Sequence, residues 1–242
     1  MGRTGAPAVP RQEPVRVLQP RLLPGRLRGR RVSGRPTRPG GGSPLTLRFV
    51  TSAPDVASLP DARAEVAVIG RSNVGKSSLL NALAGQRELA KVSSKPGRTR
   101  LLNVFEAAPG RTLVDLPGFG FAYVSKTDRA AWQRRQDAYL LEREPLRLVL
   151  LLVDGEIGPA KLDVEMLGWL RDHDVPFTIV ATKHDKVRSS KRDRRKRDLA
   201  AGCEVDPKRI LWTSAEKGVG MDRVRTLVRD TLERVDGGGA DR

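Results

Sequence analysis

The stretch Ala64-Glu65-Val66-Ala67-Val68-Ile69 runs directly into Gly70-Arg71-Ser72-Asn73-Val74-Gly75-Lys76-Ser77 and then into Ser78-Leu79-Leu80-Asn81-Ala82-Leu83. An apolar run, a loop of the form G-x-x-x-x-G-K-[ST] and a helix-forming run predict a strand, a phosphate-cradling turn and a helix in series. Each part is set by phosphate chemistry. Glycines let backbone N–H groups turn inward, the helix N-terminus presents partial positive charge, and the Lys76 ammonium reaches the β- and γ-phosphates. The Ser77 hydroxyl is placed to ligate Mg²⁺. This unit predicts binding of a nucleoside triphosphate.

Working outward, further apolar runs lie at 101–106, 112–115, 146–154, 177–182 and 210–213. Helical patterns alternate with them at 127–143, 160–173, 191–202 and 221–235. Continuous runs such as Leu148-Val149-Leu150-Leu151-Leu152-Val153 suit strands buried on both faces of a parallel sheet. The alternation predicts a three-layer α/β domain around a mainly parallel central sheet.

Four motifs fall in order behind the loop. Asp115-Leu116-Pro117-Gly118 ends a strand, where the carboxylate can hold Mg²⁺ through water and the Gly118 N–H can meet the γ-phosphate. Gly97-Arg98-Thr99-Arg100-Leu101 lies between the first helix and the next strand. Thr99 there can close over the γ-phosphate and complete the Mg²⁺ shell, although it also reads as an ordinary loop hydroxyl. Thr182-Lys183-His184-Asp185 ends another strand, and an aspartate so placed accepts from guanine N1–H and N2–H, a donor pair that adenine lacks. Thr213-Ser214-Ala215 ends the last strand and brings a backbone N–H to guanine O6. In open α/β sheets ligands sit beyond the carboxyl ends of strands, where these motifs fall. The series predicts a guanine nucleotide, with Lys76, Thr99, Gly118 and Asn73 as the catalytic candidates.

The net charge of +17 over 242 residues is uneven. Residues 1–44 hold ten Arg and one acid, and the twelve residues from Lys186 to Arg197 hold eight basic residues and one acid. Without these two blocks the remainder carries about +1. Segment 1–44 is rich in Pro, Gly and Arg, a composition that does not fold; it reads either as a basic arm or as an overextended start. The domain is expected over 45–235, with a frayed tail at 236–242. A basic run is ordinarily a solvated face, but the density of 186–197 predicts phosphate contacts to RNA, without the interleaved aromatics that base stacking requires. No run of 18 apolar residues exists, so no membrane span is expected, and the N-terminus lacks a secretory apolar stretch, which predicts a cytoplasmic protein. Cys203 is the single cysteine.

On these motifs the chain resembles the EngB family of bacterial GTP-binding proteins, within the Era, TrmE and septin-like branch of P-loop GTPases. The likeness runs from about Phe49 to Val235. Thr182, where most GTPases have Asn, is typical of that family; Phe119, where the family usually has Tyr, is a departure. The resemblance implies a Ras-like fold and a monomeric, Mg²⁺-dependent GTPase. It also implies a role in assembling the large ribosomal subunit, with rRNA contact through 186–197, and in normal cell division and septation. A nucleotide-responsive, septin-like scaffold is the alternative. Phe119 stands where many GTPases place a water-orienting glutamine, which predicts slow hydrolysis. Asn73 either ligates an activating K⁺, as the resemblance implies, or only supports the loop turn.

Overall fold

The computed structural model describes residues 42–90, 101–119 and 126–234, with no side chains for 126–133. The expectations placed on 1–41, on Gly97, Arg98, Thr99 and Arg100, and on the tail from 235 onward lie outside the described residues.

Seven strands form one sheet: β1 (Arg48–Ala53), β2 (Ala64–Gly70), β3 (Leu102–Ala108), β4 (Arg111–Asp115), β5 (Leu146–Asp154), β6 (Phe177–Thr182) and β7 (Ile210–Trp212). Their order is β1-β3-β4-β2-β5-β6-β7. The β4–β2–β5–β6–β7 pairings are parallel, while β1 and β3 add an antiparallel edge. Five helices complete the domain: α1 (Lys76–Ala84), α2 (Lys126–Glu142), α3 (Lys161–Asp172), α4 (Arg192–Gly202) and α5 (Met221–Glu233).

Alternation along the central strands builds two cores. Val66, Val68, Leu148, Leu150, Leu152 and Val180 face Leu79, Leu80 and Leu83 of α1 and Val224, Val228 and Leu232 of α5. Ala67, Ile69, Val149, Leu151, Val153 and Ala181 face Tyr139 of α2, Leu167 and Leu170 of α3 and Leu199 of α4. Each fully buried leucine contributes about 1.5–3 kcal/mol, which explains why these strands read as unbroken apolar runs. The predicted three-layer α/β fold with a mainly parallel sheet is therefore the observed one.

Two features were not expected. The edge strand β1 is mostly exposed along its first half and bulges between Phe49 and Thr51. Gly42–Pro44, which composition had assigned to the N-terminal extension, pack onto the domain. Arg225 donates to Gly42 O at 2.8 Å while its other nitrogens cap the last carbonyls of α1, at 3.2 Å to Leu83 O and 2.6 Å to Ala82 O. At the start of β2, buried Glu65 accepts from Tyr139 Oη at 2.7 Å, Thr112 Oγ1 at 2.9 Å and Arg143 Nε at 3.1 Å. This cluster fastens α2 to the start of the sheet, with each donor supplying part of the carboxylate's hydrogen bonding.

Candidate nucleotide site

The phosphate loop is the turn from β2 into α1. Gly75 caps α1 with φ 111°, and Asn73 also lies in the left-handed region at φ 63°, where asparagine is among the better-tolerated side chains. The first N–H groups of α1 have no partners within the helix, so they face the hollow of the loop. Lys76 Nζ folds back to Gly70 O at 3.3 Å and Arg71 O at 3.5 Å. Burial lowers its pKa, an effect partly offset by Asp115 nearby.

Asp115 ends β4 opposite Asn103 of β3. Burial raises its pKa to about 6, against the opposing pull of Lys76 and a hydrogen bond from Asn103. Its Oδ1 is buried without a partner, and so is Ser72 Oγ. Buried polar atoms are ordinarily paired, so two orphans beside the loop fit a bound cation and phosphate. Gly118 closes this volume. A Cβ there would stand 2.7 Å from Lys76 Nζ and 3.0 Å from Ser72 N, so a side chain would displace the lysine ammonium and crowd the loop. Phe119 then joins the sheet: its N–H donates to Gly70 O at 3.3 Å, its carbonyl accepts from Ser72 N at 3.2 Å, and its ring is buried in the core. Leu116 is likewise buried in the core, and its N–H donates to Val68 O of β2 at 3.0 Å.

The two motifs expected to meet the base end β6 and β7 beside this loop. Thr182 Oγ1 donates to Val74 O at 2.7 Å, tying β6 to the phosphate loop itself. Lys183 adopts φ 55°, and its ammonium pairs with Asp154 at 2.7 Å. His184 N–H bonds Thr213 O at 3.0 Å, which joins the two motifs. Asp185 accepts from Ser214 Oγ at 2.5 Å, and Ser214 Oγ accepts from Lys217 N–H at 3.0 Å. Burial pushes the Asp185 pKa up, but the Ser214 hydroxyl, a backbone N–H and the charges of Lys186 and Lys217 outweigh it and hold it below the usual carboxylate range. An ionised, oriented carboxylate is what two donors on one base edge require. Ala215 follows at the rim, and Leu101 lies exposed just before β3.

The structure thus gathers Gly70–Ser77, Asp115–Gly118, Thr182–Asp185 and Thr213–Ala215 at the carboxyl ends of the parallel strands. Sequence reasoning missed two supports. Asp154 also accepts from the N–H groups of Glu156 at 2.9 Å and Ile157 at 3.3 Å. Asp163, fully buried, accepts from Arg71 Nε at 3.0 Å and from Ala160 N–H at 2.9 Å. One connection, from the end of β5 to the start of α3, therefore braces Lys183 at one end and the phosphate loop at the other.

Comparison with known proteins agrees with this geometry. The family described as "50S ribosome-binding GTPase" matches residues 65–183. "Probable GTP-binding protein EngB" of Tolumonas auensis is 42% identical over 196 residues, spanning 78% of this chain and 91% of the relative. The chain belongs to the EngB family of GTP-binding proteins. The EngB protein of Myxococcus xanthus is 41% identical, covering 78% of this chain and 95% of its own. A solved structure of a probable GTP-binding protein EngB superposes with a TM-score of 0.58 at 26% identity, over 71% of this chain and all of the other. Era, solved with MgGDPNP and nucleotides 1506–1542 of 16S ribosomal RNA, superposes at 0.55 with 25% identity, over 72% of this chain and 58% of its own. The P-loop GTPase fold expected from the sequence is thus the fold of its EngB relatives. No helix among the described residues is long and apolar enough to cross a membrane.

Proposed function

We propose that the chain is a Mg²⁺-dependent GTPase, slow on its own, whose GTP and GDP states time its engagement with the assembling large ribosomal subunit. It works as a cytoplasmic monomer, and normal cell division and septation depend on it. The observation that carries the guanine assignment is Asp185, ionised and locked by Ser214 beside the phosphate loop. Ser77, Thr99 and, through water, Asp115 would hold Mg²⁺, which supplies charge neutralisation between the β- and γ-phosphates. Gly70–Ser77, Asp115–Gly118 and the 97–101 segment bind the phosphates; Thr182–Asp185 and Thr213–Ala215 bind the base. Slow turnover follows from the burial of Phe119, which offers the attacking water nothing to hydrogen-bond.

The ribosomal partner is supported by the description of the matching family and by the surface of α4. Within 186–197, Arg192 and Arg195 donate to Val187 O at 3.2 Å and Ile157 O at 3.3 Å, and so serve the fold. Arg194 pairs with Asp198 across one helical turn at 3.6 Å, a weak exposed bond that a phosphate can displace. Arg188, Lys191 and Arg197 stand exposed alongside it, giving several cations for counterion release from RNA phosphates. Co-sedimentation with large subunits, in GDP against a non-hydrolysable GTP analogue, tests the reading. Changing Arg188, Lys191, Arg194 and Arg197 together to Glu is expected to abolish association while leaving GDP affinity unchanged. Association that survives the reversal refutes RNA contact through α4, and GTP-dependent self-assembly without subunit binding favours a scaffold.

A further inference from the structure

We propose that the Ser72 hydroxyl contacts the γ-phosphate and the water that attacks it, and so distinguishes GTP from GDP. The proposal rests on reading the site as that of a GTPase. Ser72 Oγ is buried and has no hydrogen-bond partner. The backbone N–H of the same residue is already committed to Phe119 O at 3.2 Å, so the side chain is what position 72 can offer a ligand. A Cβ at Gly118 would lie 3.1 Å from Ser72 Oγ and 2.7 Å from Lys76 Nζ, which places hydroxyl, ammonium and the Gly118 backbone around one small volume. The Lys76 ammonium and the Gly118 N–H are both donors, so neither group accepts a hydrogen bond from water. The Phe119 ring is turned into the core. A hydroxyl can do both jobs, donating to a γ-phosphate oxygen and accepting from the attacking water.

In the reaction the water oxygen forms a bond to Pγ while the bond from Pγ to the β-bridging oxygen breaks. The water's proton ends on phosphate, and Ser72 keeps its own proton throughout. In the diphosphate state the hydroxyl loses its partner, so its contribution falls on GTP alone.

Ser72→Ala tests this, with an unchanged thermal unfolding midpoint of the nucleotide-free protein as the check on folding. The variant is expected to hold GDP within about twofold of wild type, to bind a non-hydrolysable GTP analogue about 5–10-fold more weakly, and to hydrolyse bound GTP in a single turnover at least about tenfold more slowly. Unchanged analogue affinity and unchanged rate overturn the proposal. Equal losses for GDP and the analogue also overturn it, because they show a role in shaping the loop. If the wild-type protein binds neither guanine nucleotide, the reading of the site itself fails, which is a distinct result.

Discussion

Asp185→Asn probes the half of the site that chooses the base. The carboxylate is about nine-tenths buried, with its side chain 10% exposed, and Ser214 Oγ fixes one oxygen at 2.5 Å. Because Ser214 Oγ already accepts from Lys217 N–H, its own proton is directed at Asp185. In the variant that proton selects the amide oxygen and turns the amide NH₂ toward the base. Two charge-assisted hydrogen bonds to guanine, worth about 1.5–3 kcal/mol each, become one neutral bond or none, with a donor facing a donor. The net loss is about 2–4 kcal/mol, or about 30- to 1,000-fold in Kd for GDP. Xanthine carries a carbonyl where guanine carries its amino group, so the same NH₂ finds an acceptor there. Displacement of a fluorescent guanine nucleotide by GDP, xanthosine diphosphate and ADP at fixed Mg²⁺ reads all three affinities. A variant that holds GDP within threefold of wild type, or that does not prefer the xanthine nucleotide, refutes the reasoning.

Arg71→Met strands the buried Asp163 carboxylate; because Arg71 keeps 23% of its side chain in solvent, the cost is about 2–3 kcal/mol, or about 4–12 °C in Tm. Adding Asp163→Leu should recover most of that loss by thermal unfolding, and a melting point unmoved by Arg71→Met excludes the brace. Asp115, raised to about 6, binds a proton in the native state that the unfolded chain binds only near its ordinary 3.8, so its contribution to stability grows as pH falls through 6. Mg²⁺-nucleotide binding needs the anion and should release about half a proton from Asp115 at pH 6 and almost none at pH 8. Calorimetry in buffers of different ionisation enthalpy, wild type against Asp115→Asn, measures this, and no difference at pH 6 would sink it. If Asn73 holds K⁺ beside the γ-phosphate, hydrolysis should run several-fold faster in KCl than in NaCl at equal ionic strength; equal rates leave Asn73 as a loop support only.

The central strands were legible because they are covered on both faces, which writes β2, β5 and β6 as continuous apolar runs. The motifs were legible because phosphate and guanine chemistry each demand particular residues at a strand end. β1 was not legible: an edge strand with one covered face and a bulge writes neither an apolar run nor clean alternation. The braces were harder still. Asp163 meets Arg71 across 92 residues, and Asp154 meets Lys183 across 29. Asp154 did leave a trace, as a carboxylate closing an apolar run in the manner of Asp115. Asp163 left none, because an acid in the first turn of a helix is unremarkable without its partner. Glu65 was read as part of a strand, and nothing local marked it as the centre of a buried cluster. The sequence boundary at residue 45 came from composition, which does not register that Arg225 reaches back to Gly42.

The Glu65 cluster also dictates how α2 can move. Tyr139 and Arg143 pin the end of that helix to the start of β2, whereas its beginning follows the segment after Gly118 and Phe119. A rod fastened at one end swings and does not slide. With seventeen residues, or about 25 Å, of lever, a tilt of about 10° at the Glu65 pivot carries the Lys126 end through about 4 Å. A displacement delivered to the Lys126 end would thus travel along the helix as a tilt that shrinks toward the Glu65 pivot.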